Sequence, residues 1–167
     1  SMKMYANESE GNLYPPLGPY EDLWMFDVSV MYPEYIKDLT LLVSPFLSDS
    51  DALLDEMRRL ESSEEKDWHR ITEIAARGFS YTGWTFASEE DLVSLVAQRQ
   101  QLASTQYDTD LENSAGDLVP RLREGVERFL ITDINNPAGS AMGQSTVPIL
   151  FESLESLQNK SSRAGAF

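Results

Sequence analysis

The stretch Tyr107-Asp108-Thr109-Asp110-Leu111-Glu112-Asn113 holds the residue types that come nearest to a metal loop. Asp108, Asp110 and Glu112 recur at every second position, as the first ligands of a calcium loop do. The glycine that an EF-hand requires at its sixth position is replaced by Asn113, and its twelfth position, where a bidentate carboxylate belongs, is Val119. Two readings remain open: a weak calcium site of the extracellular kind, or a loop of solvated carboxylates. The second asks less of the chain.

Asp133, Asn135 and Asn136 form the other polar cluster. Asp and Asn favour turns because their side chains bond nearby backbone, and Pro137 pushes Asn136 toward an extended conformation. A turn accounts for all three without a ligand. The single histidine, His69, falls off the apolar stripe of a helix and is tied by no motif to a serine or aspartate, so triad chemistry has little to stand on. Paired carboxylates suffice for glycoside hydrolysis. With 28 acidic residues, however, some pair lies at any chosen separation and the pairing carries no information. Trp24, Trp68 and Trp84 are candidates for a sugar platform, yet their helix and strand spacing suits a core. Neither a Walker nor a dinucleotide glycine motif occurs.

The 167 residues fit one domain, and a chain of this length buries roughly 70% of its unfolded surface. A hydrophobic fraction of 41% supplies a core. The net charge of −15 repels nucleic acid and anionic lipid, both of which depend on Lys and Arg contacts. It favours an exposed surface, divalent cations or a basic partner. The absence of cysteine excludes disulfides, thiolate metal sites and thiol catalysis. No apolar run reaches the ~18 residues of a membrane span.

These residues must be positioned by an α+β chain with a small, mostly antiparallel sheet packed on helices. Met2–Glu8 reads as the last turns of a helix, ended by Gly11-Asn12 and by Pro15, Pro16 and Pro19. Leu13 to Phe26 is an ordered loop holding Tyr14, Trp24 and Phe26 against the body. A helical turn starts at Pro33, and the apolar run Leu39–Val43 predicts a strand. Asp49 or Ser50 caps a helix carrying Leu53, Leu54, Met57 and Leu60. Ser62 with Glu65 predicts a capping box for a further helix through Trp68, Ile71, Ile74 and Ala75, ending at Gly78; the two are one bent helix or a pair. Phe79–Phe86 is aromatic and β-rich, with Gly83 marking a bulge. Ser88 with Asp91 caps another helix over Leu92, Leu95, Val96 and Leu102. Ser104 to Gly116 is the longest loop. Asp117 caps a short helix through Leu118, Leu122 and Val126, followed by a buried strand at Phe129–Thr132 and another at Val147–Phe151, where Pro148 favours an edge.

Arg121 to Pro137, RLREGVERFLITDINNP, closely resembles a bacterial family of pilin-like, type II secretion pseudopilin-related proteins named for a C-terminal His, nine residues, then Asp-Gly. Arg123, Glu124, Gly125, Asp133, Asn135, Asn136 and Pro137 carry the signature as structural residues. Three further pieces agree in order: Lys3–Ser9, Trp24–Asp27 with Tyr32–Tyr35, and Phe79–Trp84. The resemblance implies that residues 1–10 are the remnant of a long N-terminal helix, with Ser1 a tag scar. Residues 11–167 would then form a single pilin-like head lacking its closing C-terminal strands. It further implies a type IV prepilin-like precursor with a basic leader cut and N-methylated by a prepilin peptidase. An apolar helix would anchor it in the inner membrane, with the head in the periplasm or at the cell surface. Partners would be other pilin-like subunits and secretion or pilus assembly proteins, and no nucleic acid. Two departures stand out: Ser44-Pro45-Phe46 replaces the Cys-Pro-Ser of many relatives, and the His…Asp-Gly motif does not occur within the chain.

The expectation is therefore a non-enzymatic assembly subunit without a cofactor, unless the acidic loop takes Ca²⁺. The alternative is an extracellular calcium- or glycan-binding module using Asp108, Asp110 and Glu112 or exposed aromatics. A carboxylate-dependent hydrolase ranks third.

Overall fold

The computed structural model describes residues 2–86, 88–99, 109–126 and 149–153. Within them lie five α-helices and two small two-stranded sheets, an α+β fold in which every strand pairing is antiparallel. The helices are α1 (Met2–Glu8), α2 (Val28–Met31), α3 (Ser50–Ser62), α4 (Trp68–Gly78) and α5 (Glu89–Arg99). The strands are β1 (Phe79–Ser80), β2 (Leu111–Glu112), β3 (Leu118–Val119) and β4 (Phe151–Glu152), paired β1 with β4 and β2 with β3. None of the described helices is long and apolar enough to cross a membrane. The chain forms two compact units. One holds Leu17–Tyr81 and β4; the other holds Met2–Pro16 and the described residues from Thr82 to Ile149.

The first unit is built on α4. Ile71, Ile74, Ala75 and Gly78 are buried and lie at helical spacing, so one continuous stripe faces inward. Leu53 and Met57 of α3 bury one turn apart on the same principle. Asp67 caps α4, its carboxylate accepting from the Arg70 N–H at 3.0 Å. The C-terminal carbonyls of the helix are also satisfied: Ser153 N donates to Gly78 O at 3.0 Å, and Ser153 Oγ donates to Arg77 O. β4 is held beside β1 by the same residue, with Phe79 opposite Glu152.

Several sequence expectations are corrected here. The Ser62–Glu65 capping box is not used: α3 continues through Ser62, whose hydroxyl turns back to Arg59 O, and α4 starts separately behind Asp67. The helices are thus two. Leu39–Leu42 is a 3₁₀ turn, not a strand. Asp38 accepts from Thr40 N at 2.9 Å, and only every third residue, Leu39 and Leu42, is buried while Leu41 is 70% exposed. The helical turn near Pro33 is preceded by α2, which Asp27 caps through Ser29 N. Phe79–Phe86 is strand only at Phe79–Ser80, with a single further bridge at Trp84.

The expected helix over 117–126 is extended instead. Leu118 and Val119 pair with Glu112 and Leu111, while Arg121 and Arg123 bridge Trp84 and Leu13. Pro120 is the physical reason, because it biases Val119 away from the helical region. The strand expected at Phe129–Thr132, the cluster Asp133, Asn135, Asn136 and Pro137, and Pro148 lie outside the described residues.

Two predictions follow from the first unit. A Cβ on Gly78 would stand 2.6 Å from the Cβ of Ser44, itself 1% exposed. Gly78→Ala therefore destabilises by about 1–3 kcal/mol through overpacking, although alanine is the better helix former by roughly 1 kcal/mol. Urea unfolding of Gly78→Ala and of Ser44→Gly/Gly78→Ala measures this, and partial recovery in the double variant is the expected result. The second concerns acid. Bonds from Arg77 hold the Asp49 carboxyl below its ordinary range, and bonds from Arg70 do the same for Glu56. Depressed folded values mean stability that is present above the ordinary carboxylate range and lost as pH falls through the lowered ones. Half-exposed pairs of this kind contribute at most about 1 kcal/mol each. Arg70→Gln/Arg77→Gln should accordingly show a shallower loss of urea midpoint between about pH 5 and 2 than the parent chain.

Candidate functional site

In the second unit the most unusual side chain is Arg121, a guanidinium with 0% exposure. Its Nη2 donates to Tyr14 O at 3.0 Å and to Pro15 O at 2.6 Å, and its Nη1 donates to Gly83 O. The guanidinium carbon lies 5.2 Å from the centre of the Trp84 ring, a cation–π arrangement. Trp84 is itself fully buried, and its indole Nε1 donates to Thr109 O at 2.8 Å. A buried charge is tolerated when its donors are satisfied and its face is covered. Here main-chain carbonyls and an indole do both.

The surrounding backbone explains why this arginine sits inside. Residues 119–124 run between the segment leaving α1 and the segment at Gly83–Thr85. On one side Tyr14 N donates to Leu122 O at 3.0 Å and Glu124 N to Asn12 O at 3.0 Å. On the other, Leu122 N donates to Gly83 O at 2.9 Å and Thr85 N to Pro120 O at 2.9 Å. Val119, Pro120, Arg121 and Leu122 are all buried, so this middle segment is covered on both faces. Gly83, with φ of 79°, supplies a turn that a side chain would strain. Beyond Arg123 the chain turns at Gly125, whose φ of 78° again requires glycine.

Of the calcium candidates, Asp108 lies outside the described residues. Asp110 faces cations and donors already in the chain: its Oδ1 accepts from Arg121 N at 2.7 Å and pairs with the Arg123 guanidinium. Glu112 is exposed on β2, and its backbone carbonyl accepts from Gln98 Nε2 at 2.9 Å. Asn113, at the failed glycine position, is buried. Its amide donates to Asp91 at 2.8 Å and its Oδ1 accepts from Ala115 N and Asp117 N, closing the hairpin turn. Among the described residues no group of three His, Cys, Asp or Glu side chains is placed to share a metal ion. The acidic loop is thus partly a hairpin whose polar groups fasten it to α5.

The signature residues within the described region have structural partners. Arg123 meets Asp110, and the carboxylate of Glu124 lies 3.4 Å from Lys3 Nζ of α1. Ser88 and Asp91 cap α5 reciprocally, as their spacing indicates, with bonds of 3.0 and 3.2 Å. His69 is exposed, edge-on to Tyr20 with ring centres 4.7 Å apart. The Tyr20 phenol is pushed up by burial and by the carboxylates of Asp27 and Asp67. Trp68 is half-buried beside Tyr32. Trp24 lines a shallow hollow of about 360 Å³ with Asp22, Glu73, Arg77, Ser80 and Ser153. Arg77 there is bound to Asp49 and Glu73 to Arg70, so the polar lining is largely engaged within the protein.

Sequence reasoning missed Arg121 as the centre of this region. The available signal was the R-x-R spacing at Arg121 and Arg123, which after Pro120 suits an extended segment with both arginines on one face. Comparison with family models, with curated proteins and with solved structures gave no match.

Arg121→Ala withdraws three donors from buried carbonyls, each worth roughly 1–3 kcal/mol when lost, and opens a cavity beside Trp84. The expected loss is at least ~3 kcal/mol in urea unfolding. Arg121→Lys should recover only a minor part, because an ammonium lacks the planar fork and the stacking face. Full stability in either variant would remove Arg121 from its assigned place.

Proposed function

We propose that this chain is the head of a pilin-like subunit that works by assembly in a type II secretion or type IV pilus-like system, without catalysis. The reading starts from the resemblance at Arg121 to Pro137. One observation carries it further: Arg121, Leu122, Arg123 and Glu124 all engage residues 3–15, meaning α1 and the segment that leaves it. By the same resemblance, the N-terminal helix joins the membrane anchor to the head. A segment that ties this helix exit to the body through main-chain bonds and a buried guanidinium suits that task. An inner-membrane anchor ahead of the head, placing it in the periplasm or at the cell surface, belongs to the same proposal.

The test is the natural gene product. Its start should carry a basic leader, a glycine before a Phe/Met-Thr-Leu-like mature terminus, a glutamate a few residues on, and ~20 apolar residues. Mass spectrometry of the native protein should find the leader removed and the new terminus N-methylated. An ordinary unprocessed start with no apolar segment would sink the reading.

A further inference from the structure

The hollow beside Trp24 lies wholly on the first unit, where the C-terminal half of α4 meets β1. Glu73, Ala76 and Arg77 follow at i, i+3 and i+4, so they share one face of α4. Tyr81 N donates to Trp24 O at 2.9 Å, which holds the chain at Trp24 beside the strand. The hollow of about 360 Å³ is lined by Asp22 and Trp24 of this segment and by Glu73, Arg77 and Ser80 of the helix and strand.

Its lining combines a flat apolar group with polar groups of both signs. Trp24 is half-buried and brings an indole whose π face carries partial negative charge. Two charged neighbours are held in place by partners outside the hollow. Arg77 bonds both oxygens of Asp49, at 2.9 and 3.0 Å, and Glu73 accepts from Arg70 through Oε2 at 2.9 Å. Glu73 Oε1 keeps its acceptor capacity. Asp22 is exposed, and among the described residues neither its carboxylate nor the Ser80 hydroxyl is bonded within the chain. An anionic ligand would meet Asp22 and Glu73, and a cationic one would meet Arg77. A neutral ring with C–H bonds on its face and hydroxyls on its edge matches the whole set. Its face suits the indole, and its hydroxyls can donate to carboxylates in charge-assisted bonds.

We propose that this hollow is a subsite for a single neutral pyranose ring. The C–H face of the sugar lies on Trp24, its hydroxyls donate to Asp22 and to Glu73 Oε1, and Ser80 supplies a further partner. Because the Arg70 and Arg77 pairs already fix Glu73 and Arg77, binding orders few additional side chains. The volume stands at the lower end of the ~300–1,000 Å³ of small-ligand sites, and the hollow is shallow. One ring should therefore bind with a Kd on the order of 1 mM. The proposal needs the first unit alone and stands or falls separately from the pilin-like reading.

Saturation-transfer difference NMR on the full chain tests it. The probes are the methyl pyranosides of glucose, galactose and mannose, each at ~20 mM so that a site of this strength fills. Choline serves as the cationic probe and glucuronate as the anionic one. At least one pyranoside should take up saturation on its ring C–H protons, while choline and glucuronate should not. Trp24→Ala should abolish the transfer. Asp22→Ala, at an exposed position, should raise the Kd about fivefold. Glu64→Ala, at an exposed acid outside the hollow, should leave it unchanged. Silence from all three pyranosides would overturn the proposal, as would equal transfer to a Trp24→Ala chain whose circular dichroism is intact. Should Trp24→Ala lose its fold, Asp22→Ala decides, and an unchanged Kd there overturns the assignment. Stronger transfer to choline or glucuronate than to any pyranoside, or an equal loss in Glu64→Ala, would overturn it too.

Discussion

The second unit depends on how a guanidinium is accommodated without water. Arg121 is fully buried, and main-chain carbonyls of Tyr14, Pro15 and Gly83 are among the groups that accept from it. Carbonyls are weaker partners than a carboxylate, so the arrangement needs several of them converging, plus a π face to cover the cation. Those needs dictate the neighbours. Gly83 must turn with positive φ, and Trp84 must present its ring. The segment after α1 must run close enough to aim two consecutive carbonyls at one nitrogen. Asp110 completes the assembly from outside, accepting from the Arg121 backbone N–H while pairing with Arg123. A single carboxylate thereby fixes both the register of the strand and the side chain next but one.

The first unit solves its packing by different means. Its centre is an apolar stripe on α4 and the close approach of Gly78 to Ser44, with small buried hydroxyls such as Thr72 bonded locally and charged groups held in half-exposed ion pairs. Apolar interlock is non-directional and tolerates volume-conserving change. The guanidinium clamp is directional and tolerates almost none, because a donor removed leaves buried acceptors that water cannot reach. The units therefore differ in what kind of substitution each withstands.

That difference also decides what was legible in the sequence. Caps are local, so Ser88 with Asp91 and the stripe Ile71, Ile74, Ala75 could be read directly, and the α+β class with them. Short apolar runs are not local problems. Leu39–Val43 has strand composition, yet the Asp38 side chain offers Thr40 a bond that closes a 3₁₀ turn. Leu118–Val126 has helical spacing, yet Pro120 near its start and the pairing partners Leu111, Trp84 and Leu13 make it extended. Asp110 resembled a cation ligand because its neighbours in sequence are acids. Its actual partners, Arg121 and Arg123, come from a segment that only folding brings near. Arg121 defied the general expectation that arginine is exposed, and no composition argument could have placed it inside.

The engagement of residues 121–124 within the chain has a consequence for where function can lie. Within the described residues, Arg121, Arg123 and Glu124 engage carbonyls, Asp110 and Lys3. The aromatic that stacks on Arg121, Trp84, is fully buried. Such a motif defines how the chain is held together and leaves recognition to other surfaces. α5 and its hairpin belong to the unit that contains the clamp, with Trp84 bonding Thr109 at the foot of the hairpin and Asp110 next to it bonding Arg121. The hairpin is thereby anchored at its base by the clamp and along its turn by Asp91 and Ser94 of α5. Anchoring at both ends removes the freedom with which a short hairpin could fold its own apolar residue inward. Leu118, opposite Glu112 in the ladder, is left 58% exposed.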